Sequence, residues 1–110
     1  MSDTLFGAEK IFTYVEEPPI PLYDFSTYLR ENVSYPKNAM RNGTSGRVVV
    51  RFVIGEDGSI SDVTVVKGVS PELDEEAKRV ISKMPNWEPA NQKGKPVKIF
   101  FTQPINFSLE

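Results

Sequence analysis

A chain of 110 residues, 39% hydrophobic and 25% charged, fits one ordinary globular domain and can bury a core without disulfides or metal. Its net charge is −2, from 13 basic and 15 acidic residues, which gives no electrostatic footprint for nucleic acid. With neither cysteine nor histidine, thiol nucleophiles, zinc sites of the usual kind and imidazole acid–base catalysis are all excluded. No run approaches the roughly 18 apolar residues of a membrane span, and no signal peptide is visible. Met1 and the closing Leu109-Glu110 fit a piece taken from a longer protein.

Residues 1–23 read as an extended arm, and residues 24–110 as the domain proper. Thr13-Tyr14-Val15 is expected to be a short extended piece. The run Glu16-Glu17-Pro18-Pro19-Ile20-Pro21 follows, in which three prolines hold φ near −65° and withdraw amide donors. From Asp24 or Ser26, either able to N-cap, Phe25, Tyr28, Leu29 and Val33 fall at helical spacing. Tyr35-Pro36 breaks that helix, because the residue before a proline is pushed out of the α region. A short second helical turn runs from Lys37 to Arg41 and stops at Asn42-Gly43.

Gly46 to Gly55 is the clearest strand, with Val48, Val50, Phe52 and Ile54 on one face. Glu56-Asp57-Gly58-Ser59 turns the chain, and Ile60 to Lys67 returns as an antiparallel partner. Ser70-Pro71 opens a helix in the preferred cap-then-proline order, with acidic residues early and basic residues late. Leu73, Ala77, Val80, Ile81 and Met84 form its buried stripe, and Pro85 ends it. Asn86 to Lys95 is expected as a connection, with Trp87 a core or lid aromatic rather than a ligand platform.

The last strand is expected from about Pro96 to Phe107, with Val97, Ile99, Phe101, Ile105 and Phe107 on one face. Pro104 inside it cannot donate to a ladder, which argues for an edge position. The elements assemble as an α+β fold: a three-stranded antiparallel sheet of order 2-1-3 with two helices packed on one face. A sheet of that kind leaves edges unpaired, either protected by Pro104 and Lys98 or kept for a partner's extended peptide.

No catalytic constellation is present. Glu16-Glu17 and Glu75-Glu76 lack a base or nucleophile at useful spacing. Asp57-Gly58-Ser59 and Asp74-Glu75-Glu76 lack EF-hand spacing, and Gly43-Thr44-Ser45-Gly46 has no P-loop lysine. The expectation is therefore a binding module that is not an enzyme, with no catalytic residue, metal or cofactor assigned.

Tyr35-Pro36, Ala39, Gly43 and Gly46 are followed in order by Val48-x-Val50-x-Phe52-x-Ile54 and Asp57-Gly58. Then come Val63-x-Val65-Val66, Leu73-Asp74-x-Glu76-Ala77, Trp87-x-Pro89-Ala90, Gly94-x-x-Val97 and Pro104-x-x-Phe107. This series resembles the TonB C-terminal domain family, in versions common in Bacteroidetes-type bacteria, over about residues 14 to 109. Each motif is weak alone; their joint order and spacing are specific.

The resemblance implies a periplasmic domain of a protein anchored in the inner membrane, where a motor complex is its partner. It implies capture of the TonB box of an outer-membrane transporter by strand addition, coupling proton-motive force to uptake. Carried over by position, the capturing edge is Val97, Lys98, Ile99, Phe100, Phe101, Thr102 and Gln103. Arg30, Asn32 and Tyr35, before the Tyr-Pro corner, form a secondary contact. On that basis a proline at Ile99 is expected to remove an edge donor or distort the strand and abolish capture.

Two departures stand out. The membrane helix and proline-rich linker of the family's longer proteins are not in this sequence, and Pro21-Leu22-Tyr23-Asp24 replaces the frequent Pro-Gly-Gly before the first helix. Two alternatives keep the fold and change the role: a regulatory domain of a membrane metallopeptidase sensor, or a strand-exchanging homodimer module.

Overall fold

The structure, a computed structural model, describes residues 3–6 and 9–109. Residues 1–2 and 7–8 of the expected arm and the terminal Glu110 lie outside the described residues. The elements are β1 (Asp3–Phe6), β2 (Glu9–Phe12), β3 (Ile20–Pro21), α1 (Phe25–Asn32), α2 (Lys37–Asn42), β4 (Gly46–Ile54) and β5 (Ile60–Lys67). They continue with α3 (Pro71–Ser82), β6 (Trp87–Glu88), β7 (Ala90–Gln92), β8 (Lys95–Val97) and β9 (Ile99–Phe107).

The expected 2-1-3 arrangement is present as β5-β4-β9, with β4 central and antiparallel to both neighbours. Its alternation explains its place: Val48, Val50, Phe52 and Ile54 are fully buried beneath the helices. The sheet is larger than expected, because the arm adds a hairpin beside β9 to give the order β1-β2-β9-β4-β5. β2 runs parallel to β9, so the whole sheet is mixed. Thr13-Tyr14, expected to be extended, is a bend; the extended piece lies just before it, in β2.

The helices form where their caps stand. The Asp24 carboxylate accepts from the Thr27 amide at 3.1 Å, and the Ser70 hydroxyl accepts from the Leu73 amide at 3.3 Å. Gly43 closes α2 at φ 70°, a left-handed conformation that a side chain would strain. α3 buries Leu73, Ala77, Val80 and Ile81 against the sheet. The shorter α1 buries no residue completely, and packs Phe25, Tyr28, Leu29 and Val33 partly against the same core.

Two spans differ from expectation. Asn86 to Lys95 is not a plain connection but contains β6 and β7, and β7 pairs with β8 in a small hairpin. The last strand is interrupted at Lys98, so Val97 belongs to β8 opposite Ala90 and not to β9. Hydrophobic periodicity runs through both pieces unbroken, which is why it does not reveal the change of partner.

The arm is a strap across this hairpin. Glu17 exchanges two backbone hydrogen bonds with Asn91 (3.1 and 2.9 Å), and the Glu16 carboxylate accepts from the Lys93 amide at 3.0 Å. Further on, Ile20 and Pro21 pair with Glu88 and Trp87.

Trp87 is 2% exposed and joins Phe25, Phe52 and Phe101 at ring separations of 5.0 to 6.0 Å. Its backbone also receives the β4–β5 turn: the Trp87 amide donates to the Gly58 carbonyl at 2.9 Å. Gly58 has φ 85°, and a Cβ there would lie 1.9 Å from the Trp87 carbonyl oxygen. Only glycine allows that approach.

Candidate functional site: the open edge of the last strand

Pro104 sits in the middle of β9, yet its register with β4 is continuous from Gly46↔Phe107 to Ile54↔Ile99. A proline has no amide donor, so Val49↔Pro104 must be one of the pairs that exchange no hydrogen bonds. Alternation then sets every other residue of β9. Ile99, Phe101, Gln103, Ile105 and Phe107 turn their backbone groups to β4, while Phe100, Thr102, Pro104 and Asn106 turn theirs outward. The Phe12 amide, donating to the Lys98 carbonyl at 2.9 Å from the β2 side, agrees with that parity.

β2 covers only the beginning of this edge. Its single register pair with β9 is Phe12↔Ile99, after which the chain bends away at Thr13-Tyr14. Beyond it, no described strand pairs with β9 on that side. Thr102 and Asn106 present amides there, and Thr102, Pro104 and Asn106 present carbonyls. The Pro104 carbonyl already accepts from the Gln103 side-chain amide at 2.9 Å.

Beside the open stretch lies a groove of about 400 Å³ between α1 and β9, lined by Ser26, Leu29, Arg30, Val33 and the segment Gln103 to Asn106. Its α1 wall is held in place from α3. The Tyr28 hydroxyl donates to the Val80 carbonyl at 2.8 Å, and burial pushes its pKa up. Arg79 donates to the Asn32 carbonyl at the end of α1 (2.8 Å) and forks onto Glu76 at 2.8 and 2.7 Å. Glu76 in turn accepts from the Ser34 amide at 2.7 Å.

Burial pushes the Glu76 carboxyl up. The hydrogen bonds from Arg79 and Ser34 and the guanidinium charge outweigh it, so its pKa lies below the usual value. The Glu76 contacts push the Arg79 pKa up.

The sequence-nominated residues divide. Thr102 and Gln103 lie on the open stretch, and Arg30 lines the groove. Lys98 meets β2 through its carbonyl, and Val97 is in β8. Ile99 is 6% exposed with its amide toward β4, so a proline there breaks the interior ladder; it does not remove an edge donor. Phe101 is a core aromatic, 5.0 Å from the Trp87 ring. Phe100 lies on the helix-free face beneath the Arg51 guanidinium at 4.5 Å.

Asn32 caps its own helix by donating to the Tyr28 carbonyl. Tyr35 packs edge-on to Phe107 at 5.6 Å and donates its hydroxyl to the Thr44 carbonyl, so it braces the end of β9. Leu29, Val33, Pro104 and Asn106 were not nominated from sequence. The helical spacing of the first two signals a buried stripe, not a groove wall, and the parity of Pro104 was the available signal for the last two. Among the described residues no group of three or more acidic side chains is arranged to hold a metal ion.

The architecture is matched by known proteins. A family model described as Gram-negative bacterial TonB protein C-terminal matches residues 31–109. The chain belongs to the TonB C-terminal family. A curated relative, Protein TonB of Pseudomonas aeruginosa, is 35% identical over 77 residues, covering 69% of this chain and 22% of that protein. This chain thus spans less than a quarter of the relative it matches.

The solution structure of Helicobacter pylori TonB-CTD (residues 179–285) superimposes with a TM-score of 0.61 at 29% identity, covering 77% of each chain. That of Pseudomonas aeruginosa TonB CTD gives 0.59 at 31% identity, covering 84% of this chain and 85% of its own. The TonB C-terminal fold is therefore shared in sequence and in shape, with the β5-β4-β9 sheet and α3 at its centre.

Proposed function

We propose that this chain is the periplasmic binding domain of a TonB-type energy transducer, taking up the TonB box of an outer-membrane transporter as an added strand beside β9. The observation that carries this reading is the contrast between the two sides of the β9-β4-β5 unit. β5 is bulged: its register with β4 shifts twice, Asp62 has φ 50°, and Asp62 and Lys67 put charge on it. Those are devices that discourage pairing. β9 is continuous in register with β4 and open past Ile99, with a groove of mixed polar and apolar lining alongside. Main-chain pairing there gives affinity with little sequence demand, and the groove adds selectivity for inward side chains.

In the longer protein, an inner-membrane anchor and motor complex would pull through this domain, coupling proton-motive force to uptake. Loading several hydrogen bonds together along the strand suits a grip that must hold briefly and release. A second reading, pairing with another copy of the chain, is supported by the same open edge and predicts concentration-dependent size in sedimentation.

NMR titration with TonB-box peptides tests the leading reading. Shifts should concentrate at Thr102 to Asn106 and at Leu29, Arg30 and Val33. Shifts confined to β5, or none at millimolar peptide, would rule it out.

A further inference from the structure

We propose that Arg51 makes capture at β9 selective for an extended segment bearing a carboxylate, Glu or Asp, at the position alongside Thr102. The proposal deepens the strand-capture reading and rests on it.

Side chains that share a face of a sheet form columns across its strands. On the helix-free face, Arg51 of β4 stands opposite Thr102 of β9, Val49 opposite Pro104, and Arg47 opposite Asn106. A strand added beside β9 extends each column by one residue, about 10 Å from β4. Thr102 is short and exposed, so two long side chains can meet over it.

The three columns differ in what they offer. Val49 and Pro104 carry no charge. Arg47 already donates through Nε to the Asn106 side-chain carbonyl at 3.1 Å. At Arg51 the Nε is buried without a hydrogen-bond partner, and among the described residues no carboxylate pairs with the guanidinium. Its guanidinium lies 4.5 Å from the centre of the Phe100 ring. Stacking on an aromatic face leaves the in-plane N–H groups of a guanidinium free to fork onto a carboxylate. An aromatic floor also lowers the local dielectric, which strengthens that contact.

The opposite face of the added strand meets the groove, where Leu29, Val33 and Ile105 stand beside Ser26, Arg30 and Gln103. The fitting segment therefore has inward side chains that can pack on Leu29 and Val33, and an acidic residue at the outward position beside Thr102.

Two synthetic peptides test this, each alternating valine with threonine and differing only in one central outward residue, Glu or Gln. Binding is followed by the amide shifts of Thr102 and Asn106. The Glu peptide should bind roughly fivefold more tightly at low salt, the upper end for a partly exposed ion pair. The preference should shrink as salt rises. It should vanish in Arg51→Met, which keeps most of the aliphatic stem, and persist in Arg51→Lys.

Equal affinities on the unaltered protein would overturn the proposal, whatever the folding of the variants. So would a Glu preference that survives Arg51→Met with a native amide spectrum. If neither peptide moves the Thr102 and Asn106 amides, strand capture itself is refuted and the selectivity falls with it.

Discussion

Moving a proline by three residues along β9 should separate folding from binding. In Ile99→Pro the lost amide faces β4 and leaves the carbonyl of fully buried Ile54 without its partner. An orphaned buried carbonyl costs about 1–3 kcal/mol. Replacing a side chain that is only 6% exposed with a smaller ring adds roughly 1 kcal/mol. The sum, about 2–4 kcal/mol, is a large share of the roughly 5–15 kcal/mol that stabilises an ordinary domain.

In Thr102→Pro the amide faces the open side, no ladder bond is lost, and the side chain is exposed. Pro104, two residues on, already shows that this parity accepts a proline. Its effect should stay within about 1 kcal/mol. Urea unfolding reads both variants: with a slope of about 1–3 kcal/mol per molar, Ile99→Pro should lose on the order of 1–3 M in midpoint and Thr102→Pro well under 1 M. Thr102→Pro should then remain folded and lose TonB-box binding, because its amide is a donor offered to the added strand. Similar destabilisation by the two prolines would refute the parity assignment.

Gly58→Ala should be severely destabilising for a different reason. It combines a left-handed φ of 85° with a Cβ only 1.9 Å from a backbone oxygen, and backbone cannot swing away as a side-chain tip can. A fall of about 10 °C or more in Tm is expected; an unchanged Tm would show that the β4–β5 turn does not dock on Trp87.

The depressed pKa of Glu76 makes part of the stability pH-dependent. Because the folded value lies below the unfolded one, its contribution is complete above the usual glutamate range and is lost as pH falls through the folded value. Glu76→Gln should therefore lower the urea midpoint at pH 7 and differ less from the unaltered protein at pH 3. A gap that stays constant between those pH values would contradict the Arg79 and Ser34 contacts.

Much of this domain was legible locally. Gly46 to Ile54 and Ile60 to Lys67 alternate with period two around a turn, Ser70-Pro71 opens α3, and Asn42-Gly43 closes α2, each signal lying within a few residues of the element it sets. The expectation that the last strand is an edge holds only past Ile99, where Pro104 lies; β2 pairs with its beginning, so β9 is an interior strand of the five-stranded sheet.

Tertiary structure decided what depends on partners far along the chain. Val97 and Ile99 continue one apolar alternation, yet Val97 pairs with Ala90 and Ile99 with Ile54. Periodicity records which side of a strand is dry, not which strand lies beside it. The arm's return to Lys98 spans most of the chain, and the meeting of Arg51 with Phe100 depends on the β4–β9 register. Register is a property of two strands together, so the residues at the mouth of the open edge could be found only once both were in place.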